Sequence, residues 1–210
     1  MDRTRLEAFS DGVIAVAITL LALDLTVPGH GILLDQLYDK WPAFVAYLIS
    51  FLTIGIIWVN HHVLVRTIKA VDRMLLFLNL MLLLFVVLIP FGTAIVADHL
   101  TSGDEGSRRL AMVLYGGILV GMSAGFGAIF EWTLHGQRVY QPLPPEQHWA
   151  ARRRFGGGGL VYVAATIVAV FSPIAAFVII GLLAVYYIFE RTPSSAAADL
   201  DDDSALTPSQ

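Results

Sequence analysis

Ser10 and Asp11 sit near the start of the first long apolar stretch, Arg5 to Leu25 (RLEAFSDGVIAVAITLLALDL). At ~1.5 Å per helical residue, a stretch of this length crosses the ~30 Å hydrocarbon core of a bilayer. An ionisable group inside it is disfavoured in lipid and marks a position that faces protein or water. Trp58, Asn60, His61 and His62 close the second apolar stretch, and Asn79 lies early in the third. Two chemistries suit these residue types. In a hydrogen-bonded clasp, the Asp11 carboxylate and Ser10 hydroxyl pair with an imidazole, the Trp58 indole N–H or the Asn79 amide. A metal or proton site would instead rest on Asp11, His61 and His62. Adjacent histidines on a helix point ~100° apart and do not easily face one ion. The clasp is the favoured reading, because polar groups in lipid need partners and pairing fixes helix register and depth.

Composition defines the elements that hold these residues. With 57 % hydrophobic and only 14 % charged residues, the chain departs from the mixture typical of soluble domains and reads as an all-α integral membrane protein. There is no cysteine, which excludes disulfides, thiolate catalysis and cysteine metal sites. The net charge of −4 gives no footprint for nucleic acid. Ala15-Val16-Ala17 lacks an uninterrupted apolar run before it, so no cleavable signal peptide is expected.

Six spans are expected, at about residues 5–25, 42–64, 74–97, 110–132, 156–171 and 174–190. The breaker cluster Thr26-Val27-Pro28-Gly29-His30-Gly31 ends the first. Leu33, Leu34, Leu37, Tyr38 and Trp41 then recur at helical spacing, as in a short interfacial helix. Gly116, Gly117, Gly121, Gly125 and Gly127 allow close helix approach in the fourth span. Residues 133–155 read as a long polar connection, and Ser172-Pro173 divides the last apolar stretch in two. Residues 1–191 thus form one six-helix unit, followed by an acidic tail, 192–210, expected to be disordered.

Basic residues fix the expected orientation. With both termini cytosolic, the inner segments carry Arg3, Arg5, Arg66, Lys69, Arg73, Arg138, Arg152, Arg153, Arg154 and Arg191, and the outer segments only Lys40, Arg108 and Arg109. The first span then enters from the cytosol and the second returns to it. This brings Ser10, Asp11, Trp58, His61, His62 and Asn79 to one depth.

The opposite side of the first helix has another character. At ~100° per residue, Phe9, Gly12, Val16, Thr19 and Leu23 share a face, with Leu20 at its margin. Such a stripe alone usually means packing. If four copies meet around an axis, however, Val16 and Leu23 become apolar rings around a hydroxyl ring of Thr19. Apolar rings can close a pore by dewetting, and a hydroxyl ring can contact a partly dehydrated cation. Asp24, Asp35, Asp39, Asp98, Asp104 and Glu105 would draw cations to the outer entrance, although loop solvation explains them equally well.

Arg5-Leu6-Glu7-Ala8-Phe9-Ser10-Asp11 matches an R-x-x-x-F-S-D signature, and with Gly12 to Thr19 and Trp58…His61-His62 the chain resembles the transmembrane protein 175 family of endosomal and lysosomal potassium channels and their bacterial relatives. The resemblance covers roughly residues 3–190. A single six-helix unit matches the bacterial form, which the resemblance implies is a homotetramer with its pore lined by the first helix. It further implies potassium permeation without a carbonyl filter or cofactor, a constriction at Val16, a hydroxyl site at Thr19 and an outer apolar ring at Leu23. Valine departs from the isoleucine or leucine usual at that constriction. Arg5 falls near the stripe, so it is expected to pair with Asp11 or Glu7 of the same or a neighbouring helix.

Three classes follow. A potassium-permeable channel in the cell membrane, partnered by its own copies and the bilayer, is the leading one. A proton- or cation-coupled transporter using the Asp11/His61 layer would show paired repeats and interrupted helices. An enzyme would need a richer nucleophile or metal constellation than Asp11 and the histidine pair.

Overall fold

The computed structural model describes residues 2–23, 25, 32–101, 103–135, 138–140 and 145–189, with the backbone alone at 145–147, 150, 151 and 153–155. Asp24, Arg191 and the acidic tail lie outside the described residues. Among those described there are seven helices: α1 (Arg3–Leu23), α2 (Leu33–Asp39), α3 (Trp41–Thr67), α4 (Arg73–His99), α5 (Glu105–Leu134), α6 (Pro145–Phe171) and α7 (Pro173–Phe189). By length and composition, α1, α3, α4 and α5 can each cross a membrane. The apolar part of α6, Gly156–Phe171, and α7 are shorter.

Local chemistry sets the helix ends. Asp72 caps α4 by accepting from the Leu75 N–H at 2.8 Å. Asp104 caps α5, accepting from the Ser107 hydroxyl at 2.6 Å and the Ser107 N–H at 3.0 Å. These hydrogen bonds hold the Asp104 carboxyl below the usual carboxylate range, the hydroxyl being the stronger cause. Ser172 separates α6 from α7, which opens on Pro173, a residue suited to the first helical turn. The connection expected over residues 133–155 is shorter than its polarity suggests, because α6 begins at Pro145. Its first turns are polar, so an apolar-run criterion starts the helix too late.

Helices α3, α4, α5, α6 and α7 each contact the next, and α7 returns to α3, closing a ring. Outside that ring, α1 packs against α3 and α4. It buries Leu6, Ser10, Ile14, Ala17 and Leu21, which recur at helical spacing on one side. Ile54, Val86, Ile89, Met112, Leu119 and Ile180 lie in the core. In lipid, close packing and internal hydrogen bonds, rather than escape from water, hold such helices together.

The glycines of α5 act unequally. A Cβ on Gly125 would stand 2.9 Å from the Leu82 Cα, and Cβ atoms on Gly116 and Gly121 would run into Thr166 and the Phe85 ring. Gly117 and Gly127 have nothing within 4 Å. Gly125→Ala should therefore push backbone against backbone at the α4–α5 contact and cost about 1–3 kcal/mol. Melting of the detergent-solubilised protein should fall for Gly125→Ala and hold or rise for Gly127→Ala.

Candidate functional site

One end of the bundle gathers the start of α1, the end of α3, the start of α4 and the end of α5. Two connections are clipped together there, with the Lys69 N–H donating to the Arg138 carbonyl at 2.8 Å and the Tyr140 N–H to the Thr67 carbonyl at 3.0 Å. Arg3 donates to the Arg66 carbonyl at 3.0 Å. Arg138 lies over the Trp132 ring, 4.6 Å from its centroid. Arg152 holds Glu131 with two bonds of 2.6 and 2.8 Å.

Within the bundle at this end lies a polar layer. His61, Asn79 and Ser10 are fully or almost fully buried. The Ser10 hydroxyl donates to the Leu6 carbonyl at 2.9 Å, and Asn79 Nδ2 donates to Ser10 Oγ at 2.9 Å. Asn79 Oδ1 then accepts from His61 Nε2 at 2.8 Å. Each group in this chain donates in one direction, which sets His61 as the Nε2–H tautomer. Its Nδ1 is buried without a hydrogen-bond partner among the described residues. The chain joins α3 through α4 to α1.

Beside it, the Trp58 indole N–H donates to Asp11 Oδ1 at 2.9 Å, a second tie between α1 and α3. Asn60 stays out of the layer, donating to the Ile56 carbonyl at 2.9 Å. His62 turns away from His61 and places Nδ1 2.9 Å from Glu7 Oε1. The contact is close but off the direction of an N–H, so His62 Nδ1 makes no hydrogen bond among the described residues. Within the single subunit Arg5 is exposed and forms no ion pair among the described residues. Asp11 accepts from Trp58 and Glu7 faces His62, both on α3, and Arg5 projects more than ~100° around the helix from both carboxylates.

A second polar cluster went unread in the sequence. Ser50 Oγ lies 2.7 Å from Thr93 Oγ1 and 2.8 Å from the Tyr115 hydroxyl. Because Thr93 donates to the Ile89 carbonyl at 2.8 Å, Ser50 must donate to Thr93 and accept from Tyr115. This chain ties α3, α4 and α5 farther along the bundle. Its signal was faint: Ser50 and Thr93 are hydroxyls in apolar spans, eleven residues before His61 and fourteen after Asn79.

The opposite face of α1 is uncovered. Val16 and Leu23 are 57 % and 70 % exposed, and Phe9, Gly12, Thr19 and Leu20 are exposed with them. Exposure alone does not single this face out, since α4, α6 and α7 also leave apolar side chains uncovered. What distinguishes it is a glycine and a hydroxyl among the apolar groups, on the helix outside the closed ring. Thr19 Oγ1 donates to the Val16 carbonyl at 2.8 Å. With its hydrogen so used, the oxygen has only lone pairs left for any further partner.

Comparisons with known proteins agree with this architecture. The family described as Endosomal/lysosomal potassium channel TMEM175 matches residues 5–90, which hold both ends of the polar layer. A potassium channel of Streptomyces collinus is 39 % identical over 193 residues, spanning 90 % of this chain and 93 % of that protein. The endosomal/lysosomal proton channel TMEM175 of Gallus gallus is 36 % identical over 109 residues, 47 % of this chain and 22 % of that one. Among solved structures, a lysosomal potassium-selective channel TMEM175 homologue from Chamaesiphon minutus superposes with a TM-score of 0.77 at 30 % identity, over 89 % of this chain and 96 % of that one. On the signature residues, the helix arrangement and a relative matched along nearly its whole length, the chain belongs to the TMEM175 family.

Proposed function

We propose that this chain is a potassium-permeable cation channel, a homotetramer of six-span subunits whose pore is lined by the uncovered face of α1. The observation that carries the reading is the division of α1. Leu6, Ser10, Ile14, Ala17 and Leu21 bind it to its own subunit, and Phe9, Gly12, Val16, Thr19 and Leu23 are left uncovered. Four such faces around an axis stack an apolar ring of Val16, a hydroxyl ring of Thr19 and an apolar ring of Leu23, with Leu20 at the margin. The bond from Thr19 to its own backbone supports a cation site, because only oxygen lone pairs remain to replace water around the ion. The gathering of Arg3, Arg66, Lys69, Arg73 and Arg138 at one end supports cytosolic termini in the cell membrane. The names of the Streptomyces and Chamaesiphon relatives support potassium as the ion. The polar layer of Ser10, Asp11, Trp58, His61 and Asn79 then holds α1 in place, and His62 flanks it.

The lack of native cysteine gives a clean test. In Thr19→Cys, a cationic thiol reagent should stop most of the potassium flux from loaded liposomes and leave the parent protein unaffected. Equal flux before and after modification would remove Thr19 from the conduction path.

A further inference from the structure

Three side chains beside the buried layer take no part in its hydrogen-bond chain. Glu7 and Asp11 are four residues apart on α1 and therefore on one face, and His62 meets them from α3. One ligand atom from each lies within 4.8 Å of the other two, and all three residues are half-buried. We propose that Glu7, Asp11 and His62 bind one divalent transition-metal cation of the Zn2+ class per subunit, with water in the remaining position.

Several observations converge on a cation at this place. Two carboxylates stacked one helical turn apart repel each other; Arg5 projects elsewhere, and Arg3, one turn before Glu7, donates to the Arg66 carbonyl. His62 Nδ1 is within 2.9 Å of Glu7 Oε1, yet it is buried and forms no hydrogen bond. A settled imidazolium–carboxylate pair would aim the N–H at the oxygen. Trp58 occupies Asp11 Oδ1, which fixes the carboxylate and leaves Oδ2 for a metal.

The donor set selects the metal class. One imidazole nitrogen disfavours calcium and magnesium, and two carboxylates without sulfur disfavour Cu(I). Two carboxylates and a neutral imidazole balance the charge of a dication. Zinc at ~2.0–2.2 Å from its ligands needs ligand atoms roughly 3.4 Å apart, so each must close in by less than about 1 Å. The partly exposed side chains of Glu7 and His62 have room for that movement and leave a side open to water. The bound ion would cross-link α1 to α3 on the flank away from the uncovered stripe.

The test is calorimetric titration of tag-free, full-length protein in detergent with Zn2+ near neutral pH, read directly as binding and so independent of conduction. We expect one Zn2+ per subunit, with Kd raised at least about tenfold in both His62→Ala and Glu7→Gln. His135→Ala, which alters an exposed imidazole just after α5, should leave Kd unchanged. Substituting Co2+ should give visible ligand-field bands from a nitrogen–oxygen site, and these should vanish in Glu7→Gln. The proposal is overturned if folded parent protein takes up no Zn2+ above a detergent blank. It is overturned equally if His62→Ala and Glu7→Gln, eluting as folded protein, bind as tightly as the parent.

Discussion

Leu23→Ala is expected to raise potassium flux through reconstituted protein by about tenfold, and Val16→Ala to raise it by a smaller factor. Both side chains are uncovered in the single subunit, at 70 % and 57 % exposure, and in the proposed tetramer each forms a ring across the ion's path. An apolar ring opposes conduction because water and a hydrated ion leave it unfavourably. About 1.4 kcal/mol of barrier is tenfold in rate. Leucine loses three carbons on truncation and valine two, which sets the order of the effects. Single-channel conductance or liposome flux measures the change. Parent-like flux in both variants would place the constriction elsewhere.

Asn79→Ala should be the most damaging single substitution to the fold. Its amide connects His61 Nε2 on α3, at 2.8 Å, to Ser10 Oγ on α1, at 2.9 Å. Truncation strands a buried imidazole N–H and removes a donor to Ser10, and each buried group left unsatisfied costs about 1–3 kcal/mol. The loss also frees α1, the helix outside the closed ring, from one of its ties to α3 and α4. Asn79→Ala should reach the membrane in lower yield and elute from size exclusion as aggregate or dissociated subunit. Asn60→Ala removes only a bond to the same helix's backbone and should behave like the parent. Equal melting of Asn79→Ala and parent protein would show that the layer does not hold the fold.

Much of this layer was legible because depth in a membrane can be counted along a helix. The first span runs one way and the second returns, which puts Ser10 and Asp11 level with Trp58 and His61. The structure joins Asp11 to Trp58 and joins Ser10 to His61 through Asn79. Counting gives depth but not rotation. Which way Glu7, Arg5 and His62 face depends on how α1 turns against α3, so Arg5 stands unpaired among the described residues of its own subunit, and the Glu7–His62 contact had no signal in the spacing. The same count brings Ser50 and Thr93 only to within about a helical turn of each other, isolated hydroxyls in apolar spans often bond their own helix, and Tyr115 adds a partner that no pattern names. Helix α6 was started late for a different reason. Its opening turns are polar, and hydropathy locates the part of a helix that sits in lipid, not its first residue.

The most direct test of the central claim is paired potassium and sodium flux through purified protein in liposomes, measured for the parent and for Thr19→Ala. Rapid, passive potassium flux is expected in the parent, with a shifted potassium-to-sodium ratio when the hydroxyl ring is removed. Flux that is absent, or that saturates and requires a counter-ion, would contradict a channel lined by α1.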